Sequence, residues 1–120
     1  MISVQALTLE LTGYTQDLVD EEKEVEIVCT TGEGRPAPTV MWYRDGDSVP
    51  VDSSKESVTH NTQTEGTQYG GVMRVSTLTV QAHRSLNGKQ YRCEVEGTDL
   101  QESFTLQVAC ESTFKNAFMV

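Results

Sequence analysis

The sequence predicts an all-β domain whose strands pack as a two-sheet sandwich or close into a barrel. Apolar and polar residues alternate along many short segments, which places every second side chain on one buried face. Turn-forming peptides such as "TGEGRPAP", "RDGDS" and "LNGK" separate these segments. No stretch of useful length shows the period of an amphipathic helix, so a helical fold is not expected.

Each alternating segment assigns an inward face to one predicted strand. In chain order the segments are "ALTLEL", "VEIVC", "TVMWYR", "RVSTLTV", "QYRCEV" and "SFTLQV". Their inward positions are Leu7, Leu9 and Leu11; Val25, Ile27 and Cys29; Val40 and Trp42; Ser76, Leu78 and Val80; Tyr91, Cys93 and Val95; and Phe104, Leu106 and Val108. Residues 51–68 are polar without a clear period, and they fit either short edge strands or a mobile loop.

Bulk composition limits the classes of function. A chain of 120 residues suits a single domain. Nine basic residues against 18 acidic ones give a net charge of −9, which repels nucleic-acid phosphates and anionic lipid headgroups. We therefore expect no nucleic-acid partner and no membrane contact by this segment. The sequence lacks an apolar run long enough to cross a bilayer and lacks a secretory signal, which fits either a cytosolic protein or a piece of a larger one.

A small set of residues narrows the fold further. Cys29, Trp42 and Cys93 occupy inward positions on different predicted strands, and Tyr91 lies two residues before the second cysteine. This set is the signature of immunoglobulin domains. From Val19 to Val108 the chain resembles immunoglobulin domains of the C2 or I type. The segment "GRPAPTVMWYRDG" is similar to a loop and strand of nectin-like and nephrin-like adhesion receptors, and "STLTVQAHRSLNGKQYRCEVEG" is similar to the E-to-F portion of the same domains.

The resemblance implies an immunoglobulin-like β-sandwich of two antiparallel sheets with Greek-key topology, with strands lettered A to G. It implies a disulfide between Cys29 on strand B and Cys93 on strand F. Trp42 of strand C would pack against this disulfide, with Leu78 in the same core. The resemblance also implies a tyrosine corner, in which the Tyr91 hydroxyl reaches a backbone group near "SLNG". The cysteine count alone would equally fit three reduced thiols.

Two features depart from the usual pattern of this superfamily. Asn87 stands where related domains carry Asp, so the usual Asp–Arg salt bridge of variable-type domains is not expected. The stretch between Cys29 and Cys93 is longer than compact C2 or I domains need, which predicts a long region between strands C′ and E.

We expect residues 1–109 to form a single immunoglobulin-like domain of the C2/I type and residues 110–120 to form a C-terminal tail or linker. The apolar end of this tail fits either a connection to a further domain or an added sequence. Cys110 lies at its start. This cysteine is either an unpaired thiol or the site of an interdomain or intermolecular disulfide, the latter of which would produce a dimer.

The sequence offers no cluster suited to catalysis or metal binding. His60 and His83 lack cysteines or carboxylates at zinc-site spacing and fit ordinary surface residues. The acidic segment 17–26 lacks the alternating oxygen ligands and the glycine of a calcium loop, and it fits a solvated turn. Cys29 and Cys93, if bonded to each other, are not available as thiol nucleophiles. We therefore predict a protein that is not an enzyme and needs no cofactor or metal.

Strand parity predicts a binding face. Because Trp42 points inward, its neighbours point outward on the sheet of strands C, F and G. The outward residues on this sheet are Met41, Tyr43, Arg92, Glu94, Thr105 and Gln107. Met, Tyr and Arg are enriched at protein interfaces. The alternative is that Met41 and Tyr43 only cover their cross-strand neighbours. A smaller competing patch is formed by Val28 and Val75 on the other sheet.

The favoured function is non-catalytic protein recognition by an extracellular domain of a cell-adhesion or immune-type receptor. Homophilic and heterophilic binding are both open. The alternative is an intracellular structural immunoglobulin domain of the giant muscle-protein kind. A formed Cys29–Cys93 disulfide favours the extracellular hypothesis, because cytosolic thiols are normally kept reduced.

Overall fold

The computed structural model describes residues 8–14, 18–49, 54–65, 67 and 69–109. In chain order, the strands of this part are β1 (Leu9–Thr12), β2 (Val19–Asp20), β3 (Glu24–Thr31), β4 (Val40–Arg44), β5 (Asp47–Ser48), β6 (Glu56–Gln63), β7 (Met73–Gln81), β8 (Gln90–Val95), β9 (Gln101–Thr105) and β10 (Val108–Ala109). A 3₁₀ turn at Arg84–Leu86 precedes β8.

The predicted sandwich of two antiparallel sheets is confirmed. One sheet has the strand order β1-β3-β7-β6, and the other has the order β5-β4-β8-β9. The chain crosses between the sheets from β3 to β4, from β5 to β6 and from β7 to β8. Strands β4, β8 and β9 are therefore the predicted strands C, F and G.

The last predicted strand is divided in two. It was expected to run to Val108 as one strand, but β9 ends at Thr105 and β10 pairs in parallel with β2. The backbone changes partners between them, because the Leu106 N–H donates to the Lys89 carbonyl at 2.9 Å and the Gln107 carbonyl accepts from Val19 at 2.9 Å. This small parallel pair was not predicted. The alternation of buried and exposed residues nevertheless continues through the break.

The core lies between the two sheets and contains the predicted inward residues. Trp42 is 3% exposed, whereas Tyr91 and Leu78 are fully buried. The predicted disulfide between Cys29 and Cys93 is present and joins β3 to β8 across the sandwich. The predicted inward residues Leu9 and Leu11 of the edge strand β1, and Val25 near the start of β3, are half-buried and pack against this core. Leu7 lies outside the described residues.

The Trp42 indole also has a polar partner. Its Nε1–H donates to the Ser76 hydroxyl at 2.8 Å, and both groups are buried. Ser76 lies on β7 in the opposite sheet, so this hydrogen bond links the two sheets beside the disulfide. A polar residue at an inward position of β7 is thus explained, because a buried indole N–H requires an acceptor.

The predicted tyrosine corner is wrong. The Tyr91 hydroxyl donates to the Glu56 carboxylate at 2.6 Å instead of to a nearby backbone group. Arg44 forms a salt bridge with the same carboxylate oxygen at 3.2 Å. Tyr91 and Arg44 extend from one sheet and Glu56 from the other, so a polar triad crosses the sandwich. Burial raises the pKa of the Tyr91 hydroxyl far above its ordinary value, and the adjacent carboxylate raises it further.

Asn87 has a structural role of its own. Its side-chain oxygen accepts the Val108 N–H at 2.8 Å and so holds the start of β10 against the turn before β8. The absence of the Asp–Arg salt bridge at this position was expected. Within the described residues, the buried ion pair of the sandwich is Arg44–Glu56.

The polar stretch after β5 contains a long strand. Residues 56–63 form β6, which pairs with β7 along its whole length and closes the edge of the first sheet. Of the two expectations for this segment, the edge strand is the one present in the described residues, but it is one strand of eight residues and not a short one. Alternation was invisible in the sequence because β6 buries only Glu56, leaves Val58 half-buried and exposes the other residues. Residues 50–53 lie outside the described residues.

Replacing Glu56 with Gln should destabilise the fold by about 3 kcal/mol, because it removes the charge that compensates the largely buried Arg44. Urea unfolding monitored by Trp42 fluorescence measures this change. The matched control is Glu21→Gln, which removes a surface ion pair with Arg84 and should cost less than about 1 kcal/mol. Equal losses in the two variants would contradict a stabilising role for the buried pair.

Candidate protein-binding face

The register of β4 against β8 decides which side chains face solvent. Trp42 lies opposite Cys93, and both point into the core. The flanking cross-strand pairs are Met41 with Glu94 and Tyr43 with Arg92. Because side chains alternate along each strand, both pairs project from the outer face of the sheet.

Met41, Tyr43, Arg92 and Glu94, here called the outer quartet, contact one another. The Arg92 guanidinium carbon lies 5.1 Å from the centre of the Tyr43 ring, within the range of a cation–π interaction. The Arg92 Nε lies 2.5 Å from a carboxylate oxygen of Glu94. On β4, the Tyr43 hydroxyl donates to the Met41 sulfur at 3.5 Å. Each member of the quartet therefore has a partner within it.

The outer quartet combines apolar and charged surface in a fixed arrangement. Arg92 and Glu94 expose 36% and 28% of their side chains, so both are accessible yet partly covered. Their charges cancel locally within a chain of net charge −9. Tyr43 and Met41 are half-buried beside them. Such a patch can bind a protein surface through an aromatic ring and a guanidinium, the side chains most often found at interface hot spots.

Thr105 and Gln107 relate differently to this patch. Thr105 lies opposite Gln90, one outward position along β8 from Arg92, and is exposed at the end of β9. Gln107 follows the break after β9, where its backbone bonds to Val19 and not to β8. Both residues line a groove of about 430 Å³ together with Leu11, Tyr14, Ser103 and Phe104. The structure thus brings the outer quartet together and places Gln107 at the side of the sheet.

Further exposed residues of this face were not singled out from the sequence. Ser103 lies opposite Arg92, Gln101 lies opposite Glu94, and Ser48 lies opposite Tyr43. Strand parity along β9 could have identified Ser103 and Gln101, because they share the face of Thr105. Ser48 could not be found in this way, since β5 is only two residues long.

The described residues contain no group of histidine, cysteine and acidic side chains that could hold a metal ion. His83 instead accepts the Ser85 N–H at 3.1 Å and caps the 3₁₀ turn. In the same part of the chain, no helix is long and apolar enough to span a membrane. Cys110 and the tail 110–120 lie outside the described residues, so the proposed roles of this cysteine stay predictions.

Comparison with known proteins identifies the family. A family model for CD80-like C2-set immunoglobulin domains matches residues 4–103. The chain belongs to this family. The basal cell adhesion molecule of Bos taurus is 29% identical to the C2-set domain over 80 residues, which cover 65% of this chain and 13% of that protein.

A solved structure shares the fold of this C2-set domain. It is described as the crystal structure of Rst D1-D2, and it aligns with a TM-score of 0.73 at 15% sequence identity. The alignment covers 89% of this chain and 51% of that chain. The chain therefore spans about half of the solved chain and a much smaller share of the adhesion molecule.

The C2-set domain also holds two of its loops together in a way that the sequence did not predict. The Glu33 carboxylate, in the loop after β3, accepts the Tyr69 N–H at 3.0 and 3.1 Å and the Gly71 N–H at 2.8 Å. Arg35 donates to the Tyr69 carbonyl. A Cβ at Gly71 would lie only 2.9 Å from the backbone carbonyl oxygen of Gly34 as well as from the Glu33 carboxylate, so glycine is required there. These contacts hold Tyr69 in an exposed position, with 64% of its surface accessible.

The competing patch on the other sheet is present as parity predicts. Val28 and Val75 lie on adjacent strands, opposite Thr77 and Thr30 respectively. Both are half-buried. Their cross-strand neighbours are uncharged threonines and Asn61, so this patch lacks the combination of aromatic ring and guanidinium that marks the outer quartet.

Replacing Glu33 with Ala should release the loop that contains Tyr69. We expect backbone amide exchange at Tyr69 and Gly71 to accelerate at least about tenfold, because both N–H groups lose their acceptor. Hydrogen exchange measured by NMR reports both amides. Glu65→Ala, in the same loop and exposed, is the matched control. Unchanged exchange in Glu33→Ala would contradict this role of the carboxylate.

Proposed function

We propose that this C2-set domain is an extracellular recognition module of a cell-adhesion or immune-type receptor, and that it binds a protein partner through the outer quartet without catalysis. The relative found by sequence carries the name of a cell adhesion molecule, which supports an adhesion role. The family and this relative point to a non-enzymatic protein. The net charge of −9 argues against nucleic acid as the partner.

The observation that carries the proposal is that the four side chains of the outer quartet contact one another on a solvent-facing sheet. Binding normally costs the conformational freedom of each side chain that becomes ordered at an interface. Here Arg92 is already held by Tyr43 and Glu94, so less freedom remains to be lost. The strands beneath are joined to the opposite sheet by the disulfide and the Trp42–Ser76 hydrogen bond. The quartet is therefore a preorganised and rigidly supported surface.

The disulfide supports the extracellular part of the proposal. Cys29 and Cys93 lie 64 positions apart, and closing such a loop removes unfolded-state entropy worth about 4 kcal/mol in the chain-entropy estimate. A domain that depends on this bond needs an oxidising compartment to fold stably. The expected partner is a protein, either a second copy or a different receptor.

Substitutions in the quartet should weaken partner binding without unfolding the domain. Tetramers of the chain are titrated onto a panel of cultured cell lines, and a line is selected whose binding is abolished when its surface proteins are proteolysed. We expect Tyr43→Ala and Arg92→Glu each to reduce binding to this line at least about tenfold, since residues of these types dominate interface energies.

The matched controls are Tyr69→Ala and Arg84→Glu, which change another exposed tyrosine and another surface arginine. We expect both to bind within about twofold of the wild type. Thermal unfolding verifies that all variants are folded. Full binding by both quartet variants would contradict the role of this face.

The oxidation state of Cys29 and Cys93 in the producing cells tests whether the domain is extracellular. Free thiols are alkylated as the producing cells are lysed, and the intact mass is measured before and after reduction. We expect Cys29 and Cys93 to escape alkylation until the protein is reduced, because an extracellular domain forms this bond during secretion. Alkylation of both residues at lysis would instead support the intracellular alternative.

A further inference from the structure

We propose that a second copy of this chain pairs with the outer edge of β6, extending the β1-β3-β7-β6 sheet across a two-fold axis. This surface borders the outer quartet, because Met41 and Tyr43 also line the groove beside β6, but the proposed pairing uses the backbone of β6 and its test does not depend on the proposed function.

The register of β6 shows which backbone groups face outward. The Lys55 carbonyl accepts the Gln81 N–H from β7 at 2.7 Å. In an antiparallel pair, residues alternate between bonding to the neighbouring strand and pointing away from it. Ser57, Thr59 and Asn61 are therefore bonded to β7. The N–H and C=O groups of Val58, His60 and Thr62 point to the opposite side, where β6 is the last strand of its sheet.

This edge is long and accessible. From Thr59 to Gln63 every residue is exposed, including His60 and Thr62, whose side chains point toward the opposite sheet. Their exposure follows from the length of β5, which is only two residues and does not extend across from them. A groove of about 400 Å³ runs beside the strand and is lined by Val40, Val49 and Val58 among others. The edge thus offers backbone hydrogen bonds beside an apolar groove, the combination used in recognition by strand addition.

The strand lacks the usual protection of an exposed edge. Natural edges of this length carry lysine, proline or a bulge that prevents pairing. Residues 57–63 read "SVTHNTQ" and contain no proline, lysine, arginine or carboxylate. By contrast, β1, at the other edge of the same sheet, has only four residues and includes Glu10.

Self-complementarity favours a second copy of the chain as the occupant of this edge, and the absence of charge on the strand permits it. Two chains of net charge −9 repel each other over most of their surfaces. Residues 57–63 form a long uncharged strand at which two copies can meet without bringing carboxylates together. An antiparallel edge is also self-complementary, since its outward donors and acceptors match those of an identical strand under a two-fold rotation.

The register of the pairing follows from burial. Glu56 is only 2% exposed, so the start of β6 is covered. The accessible edge-facing residues are Val58, His60 and Thr62. A two-fold arrangement that pairs all three places His60 opposite His60 of the second copy, and Val58 opposite Thr62.

This register makes pairing sensitive to acid. Partial desolvation lowers the pKa of His60 below its ordinary value of 6.5, and the nearby Arg74 on β7 lowers it further. Tyr43 of β4 lines the same groove and is uncharged at these pH values. The imidazoles are therefore neutral at pH 7.5. Below their pKa they become like charges placed opposite each other, which weakens pairing.

Sedimentation velocity of the chain with Cys110→Ser, which excludes a covalent dimer through this residue, tests the proposal. We expect a reversible dimer whose dissociation constant at pH 7.5 lies between about 1 µM and 1 mM. At pH 5 the dissociation constant should be at least about tenfold higher. His60→Lys places permanent like charges opposite each other, and Thr62→Pro removes an outward N–H without touching the bonds to β7. Each should raise the dimer dissociation constant at least about tenfold.

The control is Thr12→Lys, which adds the same charge at the other edge of the sheet and should leave the dissociation constant unchanged. Thermal unfolding verifies that each variant is folded. Hydrogen exchange at high protein concentration should protect the amides of Val58, His60 and Thr62. A wild-type monomer at 1 mM would overturn the proposal, as would a dimer that survives both β6 substitutions. Loss of the dimer in Arg92→Glu, a quartet residue that does not line the groove, while both β6 variants still dimerise would assign self-association to the outer quartet instead.

Discussion

The pairing of Trp42 with Cys93 across β4 and β8 is the constraint on which the rest of this domain depends. It places the indole beside the disulfide and gives its N–H a partner on the opposite sheet, so the two sheets are joined at their centre. Because a strand alternates its side chains, the same pairing turns Tyr43 and Arg92 toward solvent. A shift of β4 by one residue would turn Trp42 toward solvent and bury Met41 and Tyr43 in its place.

The interior uses polar contacts to orient its two sheets. The Trp42–Ser76 hydrogen bond and the triad of Tyr91, Glu56 and Arg44 both cross the sandwich. Buried polar groups are costly unless each is paired, so these contacts tolerate few alternative arrangements of the sheets. At the end of the sandwich where β3 leads to β4, the Glu33 carboxylate holds the Tyr69 loop against its neighbour.

Prediction from the sequence succeeded where a residue has one buried face and one exposed face. The inward positions of β3, β4, β7 and β8 follow from alternation, and the Cys29–Cys93 bond follows from the resemblance. The strand β6 could not be recognised, since it buries almost nothing and therefore shows no period. The partner of Tyr91 was missed for the same reason, because Glu56 lies in that segment. Alternation along β4 does place Arg44 inward. Because a buried guanidinium needs an acidic partner, this position indicated that a buried carboxylate should exist.

The candidate face was only partly predictable. The alternation of side chains predicted that the outer quartet shares one face of the sheet. It could not show that β9 ends at Thr105 and that Gln107 bonds to β2. That change depends on contacts between residues distant in sequence, which local patterns do not encode. The loop contacts of Glu33 were hidden for the same reason.

The most direct test of the account is an NMR measurement of the outer quartet and of the indole beneath it. The account predicts that the side-chain protons of Arg92 are shifted upfield by the Tyr43 ring, and that the Trp42 Nε1–H exchanges slowly with solvent. Arg92 protons at random-coil positions together with a rapidly exchanging indole would contradict it, because the register that orients both faces would then be wrong.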